Sequence, residues 1–246
     1  MRAYEGSELA LFAEALNWKR YWAITIAPFV LGEILEVGSG LGSNVAYLLP
    51  PAQSYLGLEP DDTMVIAARE RHDDPAVSFE VGTLQTLAAR QFDTILYLDV
   101  LEHIEDDRAE LARTSAFLRP GGRVIVLSPA HPLLYSDFDR SIGHFRRYTR
   151  SSLLSITPRE LTLSTVQFLD GVGAATGWAN RFLLRQALPT VRQIALWDRF
   201  IVPVSRLTDV LTKRMFGRSI VAVWTTTPAP TIHRAGLDQR VSWSGE

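Results

Sequence analysis

Three glycines at alternate positions, Gly38, Gly40 and Gly42, stand where the apolar run Ile34-Leu35-Glu36-Val37 gives way to Asn44-Val45-Ala46-Tyr47-Leu48-Leu49. Bare backbone lets a ligand approach to contact distance and tolerates the positive φ angles of a tight strand-to-helix turn. A turn of this kind between a strand and a helix suits a nucleotide-type cofactor. The next apolar run, Ser54-Tyr55-Leu56-Gly57-Leu58, ends in Glu59 and Pro60. In a nucleotide-binding βαβ unit, a carboxylate at that point accepts hydrogen bonds from two ribose hydroxyls.

The chain has no cysteine, which removes thiolate nucleophiles, disulfides, zinc-thiolate sites and iron–sulfur clusters together. Oxygen and nitrogen chemistry remains, and no metal is expected. Histidine supplies a base titrating near neutrality. Of five histidines, His103, His131 and His144 fall in segments that read as loops after strands. His144 ranks first as a base, with Tyr148 as its partner and Asp139 able to orient its ring; His131 ranks third because Pro132 restricts it. Arg146 and Arg147 admit two readings. They bind an anionic acceptor in a forked arrangement, or one pairs with Asp137 or Asp139 and closes the loop; the opposite charges nearby favour the second.

Strand and helix patterns alternate to position these residues. Strands are predicted over 33–37, 54–59, 77–81, 92–98 and 123–128, with helices over 44–49, 63–72 and 105–117. Phe92-Asp93-Thr94-Ile95-Leu96-Tyr97-Leu98 is almost continuously apolar, as a central parallel strand buried on both faces must be. Right-handed crossovers then give a doubly wound α/β sheet with ligands at the carboxyl ends of its strands. Those ends are 36–42, Glu59, Gly82-Thr83-Leu84, 99–103 and 128–135. A helix over 7–31 carries an aromatic face; it covers the sheet edge, or Tyr21 or Trp22 overhangs the cofactor.

Four segments together resemble the class I S-adenosylmethionine-dependent methyltransferases across about 15–228. These are Glu36-Val37-Gly38-Ser39-Gly40-Leu41-Gly42, Glu59, Asp99-Val100-Leu101-Glu102-His103-Ile104 and Leu118-Arg119-Pro120-Gly121-Gly122. A fifth segment, 134–149, is similar to a bacterial subset of that family. The resemblance implies S-adenosyl-L-methionine as cofactor and S-adenosyl-L-homocysteine as product. It puts Glu36, Gly38 and Gly40 at the amino-acid tail, Glu59 and Pro60 at the ribose, Gly82, Thr83 and Leu84 at the adenine, and Tyr21, Asp99 and His103 around the site. Thr83 stands where the family usually has an adenine-binding aspartate, so recognition shifts to backbone at Thr83 and Leu84. The implied fold is a Rossmann-like, mostly parallel seven-stranded sheet, its sixth strand over 161–168 and its reversed seventh over 219–224. A helical lid of about 172–217 lies between them, within one domain of 1–228 followed by a loose tail of 229–246.

The implied reaction is methyl transfer to an oxygen, nitrogen or carbon of a hydrophobic or amphipathic small molecule. A lipid-linked or membrane-surface acceptor, or a non-catalytic cofactor-binding adaptor, is the alternative. A nicotinamide dehydrogenase fits less well, because its fingerprint wants Gly or Ala where Ser43 stands. Net charge is −2, with 10 Lys/Arg against 4 Asp/Glu after residue 170. In this basic third Arg192, Arg199, Arg206 and Lys213 recur every seven residues, opposite an arc of Trp197, Phe200, Ile201, Val204, Leu207 and Leu211. Pro203 is expected to split the run into two amphipathic helices that cover the sheet or touch an anionic membrane. Nucleic acid is not expected as a partner, and the start of the sequence lacks a signal-peptide core, so a cytoplasmic protein is expected.

Overall fold

A computed structural model describes residues 15–49, 52–179 and 190–226. Seven strands form one sheet in the order β3-β2-β1-β4-β5-β7-β6. They are β1 (Glu33–Val37), β2 (Ser54–Glu59), β3 (Val77–Val81), β4 (Phe92–Leu98), β5 (Leu118–Pro129), β6 (Leu161–Leu169) and β7 (Ser219–Thr226). Strands β1 to β5 pair in parallel, and β7 runs antiparallel to both of its neighbours. All five strand segments expected over 33–128 are present. The fifth is longer than expected: β5 begins at Leu118, before the Pro-Gly-Gly turn, and reaches its register with β4 across an irregularity between Phe92 and Thr94.

Alternate side chains of the central strands enter two cores. Ile34, Leu96, Leu98, Ile125 and Leu127 point to the face covered by α1 (Leu16–Ile26), α2 (Val45–Leu48) and α3 (Asp62–Arg71). Leu35, Ile95, Tyr97, Val124 and Val126 point to the face covered by α4 (Asp107–Thr114) and α6 (Arg150–Ile156), which flank the short α5 (Asp137–Ser141).

The segment between β6 and β7 is helical, as expected, in α7 (Gly171–Ala179), α8 (Val191–Leu196) and α9 (Val202–Leu211), with residues 180–189 outside the described set. Its described part packs as a layer on the first core. Ile194, Trp197 and Val202 pack with Trp18, Tyr21 and Trp22 of α1. Asp198 caps α1 from a distance, taking the Trp18 N–H at 2.8 Å and the Asn17 N–H at 3.2 Å. Asp209 accepts from the Tyr21 hydroxyl and the Asp170 N–H, both at 2.7 Å, and from the Gly171 N–H at 3.0 Å. Tyr21 therefore anchors α9 and is sealed in the core, not poised over a ligand; burial and the Asp209 bond push its hydroxyl well above the ordinary phenol range.

Pro203 does not split the helical run. A π-helical turn, Trp197–Ile201, precedes it and carries the chain into α9 with Pro203 in the first turn. The wide turn rotates the register, so the expected apolar arc is divided. Trp197 is buried, but Phe200, Val204, Leu207 and Leu211 face outward with Arg199, Arg206 and Lys213, while Val202, Ser205 and Asp209 face the core. The tail expected over 229–246 lies outside the described residues.

Asp209→Ala would strand three buried donors, each costing on the order of 1–3 kcal/mol. We expect a stability loss of about 3 kcal/mol or more in urea unfolding, with β-sheet circular dichroism retained. A loss below about 1 kcal/mol would contradict the anchoring role.

Candidate active site

The carboxyl end of β1 leads into a turn held in left-handed backbone at Gly38 (φ 70°), Gly40 (φ 53°) and Gly42 (φ 70°). A Cβ on Gly38 would lie 2.7 Å from the Val100 side chain, so the close approach of the β1 and β4 loops requires glycine there. Two buried carboxylates stabilise this turn from behind. Glu36 accepts from the Asn44 amide at 2.7 Å and the Tyr55 hydroxyl at 2.6 Å, tying the start of α2 to β2. Burial raises its pKa from 4.5 to about 7, against those two hydrogen bonds. Glu36 thus braces the turn from inside the core.

Glu59 closes the turn on its open side. One carboxylate oxygen accepts from the Gly40 N–H at 3.0 Å and the other from the Asp61 N–H at 3.1 Å. Burial raises its pKa, opposed by those backbone donors. Each oxygen keeps one lone-pair direction beyond these bonds. The side chain is therefore oriented in advance for two further donors. The β3 loop stands alongside: the Gly82 N–H donates to the Glu59 carbonyl, and Leu84 is buried. Thr83 is exposed, but its N–H is already bonded to the Thr86 hydroxyl at 3.0 Å. That leaves the expected adenine contact to Leu84 rather than to the Thr83 backbone N–H.

At the end of β4, Asp99 adopts left-handed backbone (φ 56°) and remains open to solvent. The protein around it pushes its carboxyl up to about 6, while His144 and Arg218 pull the other way. Because its outer side is wet, it is a more easily ionised group than the sealed Glu102 three residues on. Glu102 has one oxygen bonded to Ser128 at 2.9 Å and none of its surface exposed; burial, and then the charge of Asp99, drive its pKa well above the carboxylate range.

The loop after β5 folds back onto that segment. His144 packs edge-on against His103 with ring centroids 4.5 Å apart. Its Nδ1 lies 2.9 Å from Asp139, as expected from the sequence, and Asp139 also takes a forked pair from Arg147 at 2.8 and 2.9 Å. Burial would raise the Asp139 pKa, but the His144 and Arg147 bonds outweigh it and hold the carboxyl well below its usual range. Burial and the neighbouring His144 lower His103 to about 4, so its ring is neutral at physiological pH. Arg146 pairs with Asp107 at 2.7 Å. Of the two readings of the arginines, loop closure is the one observed.

The candidate bases His144 and His131 and the partner expected for His144, Tyr148, lie in different surroundings. Tyr148 is buried, its hydroxyl donating to Asp107 at 2.8 Å and lying 3.3 Å from the Leu101 carbonyl; burial, and then the Asp107 bond, raise its pKa. His131, at φ 61°, is stacked on Phe168 at 5.2 Å and against Phe216 at 4.8 Å. His144 sits beside the loop after β4, with its side chain nearly sealed. One residue went unnoticed in the sequence. Because β7 is reversed, it starts at the edge where the parallel strands end, and the preceding Arg218 reaches the field of Asp99 and Asp139 while its guanidinium lies 5.4 Å from the Trp197 ring centroid.

Residues 35–124, from β1 to early β5, match a family model described as a methyltransferase domain. That stretch carries a methyltransferase domain, and the strand order is that of the class I S-adenosylmethionine-dependent methyltransferase fold. Among curated relatives of the chain, a ubiquinone biosynthesis O-methyltransferase of Bradyrhizobium diazoefficiens is 28% identical over 96 residues, 38% of each chain. A demethylmenaquinone methyltransferase of Tropheryma whipplei is 25% identical over 135 residues, 53% of this chain and 56% of that one. The chain thus spans 38% and 56% of the length of these two relatives. A phosphoethanolamine N-methyltransferase 2 of Haemonchus contortus, solved with S-adenosyl-L-methionine, superposes with a TM-score of 0.60 at 15% identity, covering 92% of this chain and 59% of that one. At that identity the likeness concerns the fold.

The Glu36 brace gives the protein a pH signature. The folded state keeps a proton on Glu36 that the unfolded chain has released, so this group's contribution to stability is complete below pH 4.5 and lost as pH rises to about 7. Glu36→Gln removes the titration. Thermal unfolding should show wild type losing stability relative to the variant between these two values, and profiles that stay parallel would contradict a proton held there.

Proposed function

We propose that the chain binds S-adenosylmethionine at the carboxyl ends of β1 and β2 and transfers its methyl group to an oxygen, nitrogen or carbon of a hydrophobic or amphipathic small molecule. The observation that carries this reading is the left-handed glycine cradle closed by Glu59, whose two oxygens are aimed by backbone and retain acceptor capacity. The Gly38–Gly42 backbone would take the amino-acid tail, Glu59 with Pro60 the ribose, and the Gly82–Leu84 loop the adenine. When bound, the cofactor supplies an electrophilic methyl on a sulfonium.

The protein's part is then alignment and exclusion of water. Asp99 and His103, at the end of β4, line the side from which an acceptor would arrive. The two quinone-pathway names among the relatives support a hydrophobic acceptor. One domain over 1–228 is retained in this reading. Glu59→Ala should weaken cofactor binding by about 1.5–3 kcal/mol, roughly 10- to 150-fold in Kd, since charge-assisted hydrogen bonds are lost. Calorimetry with unchanged affinity would remove Glu59 from the site.

A second reading rests on the outward stripe of Phe200, Val204, Leu207 and Leu211 bordered by Arg199, Arg206 and Lys213. Apolar and basic residues on one helix face suit attachment to an anionic lipid surface, which would bring the enzyme to a lipid-soluble acceptor. No described helix is long and apolar enough to cross a membrane. Flotation with vesicles containing anionic lipid should show binding that falls with added salt and is lost in Phe200→Ser/Leu207→Ser. Equal recovery with neutral vesicles, or no recovery at low salt, would discard this attachment.

A further inference from the structure

Glu102, His103 and His144 each present one ligand atom, and the three atoms lie within 4.8 Å of one another. They come from two loops, after β4 and after β5, that the sheet alone brings together. Among the described residues Glu102 Oε1 has no hydrogen-bond partner, although the residue is wholly buried. His144 Nε2 lies 3.9 Å from that oxygen. This is too far for a hydrogen bond. It is close to the separation of two ligands of one ion, since donors about 2.1 Å from a shared metal stand roughly 3–3.5 Å apart.

We propose that Glu102, His103 and His144 form a binding site for a late first-row divalent metal ion such as Zn²⁺. The surrounding residues already have the arrangement such a site needs. The Asp139 carboxylate on His144 Nδ1 fixes the ring and leaves Nε2 as the donor atom, and Arg147 neutralises Asp139. Ser128 holds the other Glu102 oxygen at 2.9 Å, turning Oε1 inward. His103 hydrogen-bonds the Gly143 backbone, which orients its imidazole in the same way. Two imidazoles and one carboxylate match the borderline preference of zinc, cobalt and nickel, whereas magnesium and calcium favour oxygen alone. Asp99 lies near enough to add negative charge, and Arg218 opposes it from the β7 side. Three protein ligands leave room at the ion for water or for an oxygen of the acceptor. Use of that position by an acceptor rests on the methyl-transfer reading; binding of the ion does not.

The test uses the chelator-treated full chain without cofactor or acceptor, so it stands apart from any result on methyl transfer. Titration with Co²⁺ should produce a visible absorption band that saturates at one equivalent and bleaches when Zn²⁺ is added. Glu102→Gln, close in shape to the native residue, should abolish the band, as should His144→Ala. Asp139→Asn should weaken Co²⁺ binding roughly 10- to 100-fold, because it acts through His144 rather than on the ion. Circular dichroism identifies any variant that fails to fold; in that event the wild-type titration and the remaining folded variants decide. Absence of a saturable band in the wild type, or a band unchanged in Glu102→Gln, would overturn the site.

Discussion

A carboxylate withdrawn from water must be met by donors or by a cation, or it costs several kcal/mol. This chain buries one beside nearly every loop at the functional edge of its sheet. Glu36 ends inside β1, Glu59 at the end of β2, Glu102 just past β4, Asp139 after β5 and Asp170 after β6, and all five are buried. Most are satisfied by groups that fix a loop: Asn44 and Tyr55 on Glu36, Gly40 and Asp61 on Glu59, Arg147 and His144 on Asp139. Asp170 takes the Trp197 indole at 2.7 Å and the Ser205 hydroxyl at 2.6 Å, which locks the helical layer in place. The loops that surround a ligand are therefore held by charge-assisted bonds from beneath, and their outer surfaces are left for binding. Glu102 departs from the pattern, with one oxygen unmatched, and it is there that a cation completes the accounting.

Topology decides which residues can meet. Five parallel strands release their following loops at one edge, and the reversed β7 begins at that same edge. The candidate site is thus assembled from the ends of β1, β2 and β4 and the loops after β3 and β5, with Arg218 entering from the start of β7. The insertion contributes from the side: its Trp197 lies under Arg218, and its Asp198 caps α1. It is wedged into the first core by aromatic packing and buried hydrogen bonds.

Local features of the sequence revealed most of the sheet and the glycine turn with its strand-end acid, where the cofactor is proposed to bind. Glycine spacing, strand-end acids and apolar runs are encoded within a few residues, so β1 to β5 and the positions of Gly38, Gly40 and Glu59 could be read directly. What was not legible depends on partners far along the chain. Tyr21 reads as a ligand-facing aromatic until Asp209 is seen to take its hydroxyl, and Tyr148 as a catalytic phenol until Asp107 does the same. The face presented by 199–211 was inverted because a π-turn, which leaves little trace in a hydrophobic pattern, shifts the register ahead of Pro203. Glu102 was passed over beside His103. The available signal was an acid adjacent to a histidine at a strand end, but its meaning depends on His144, which the fold supplies from another loop.

The central claim is that the glycine turn and Glu59 together define the cofactor site. It is tested most directly by a crystal structure of the protein with S-adenosylhomocysteine. The account predicts the ribose hydroxyls within hydrogen-bond distance of both Glu59 oxygens and the amino-acid tail along the Gly38–Gly42 backbone. Product bound elsewhere, with the Glu59 carboxylate still contacting only Gly40 and Asp61, would contradict it.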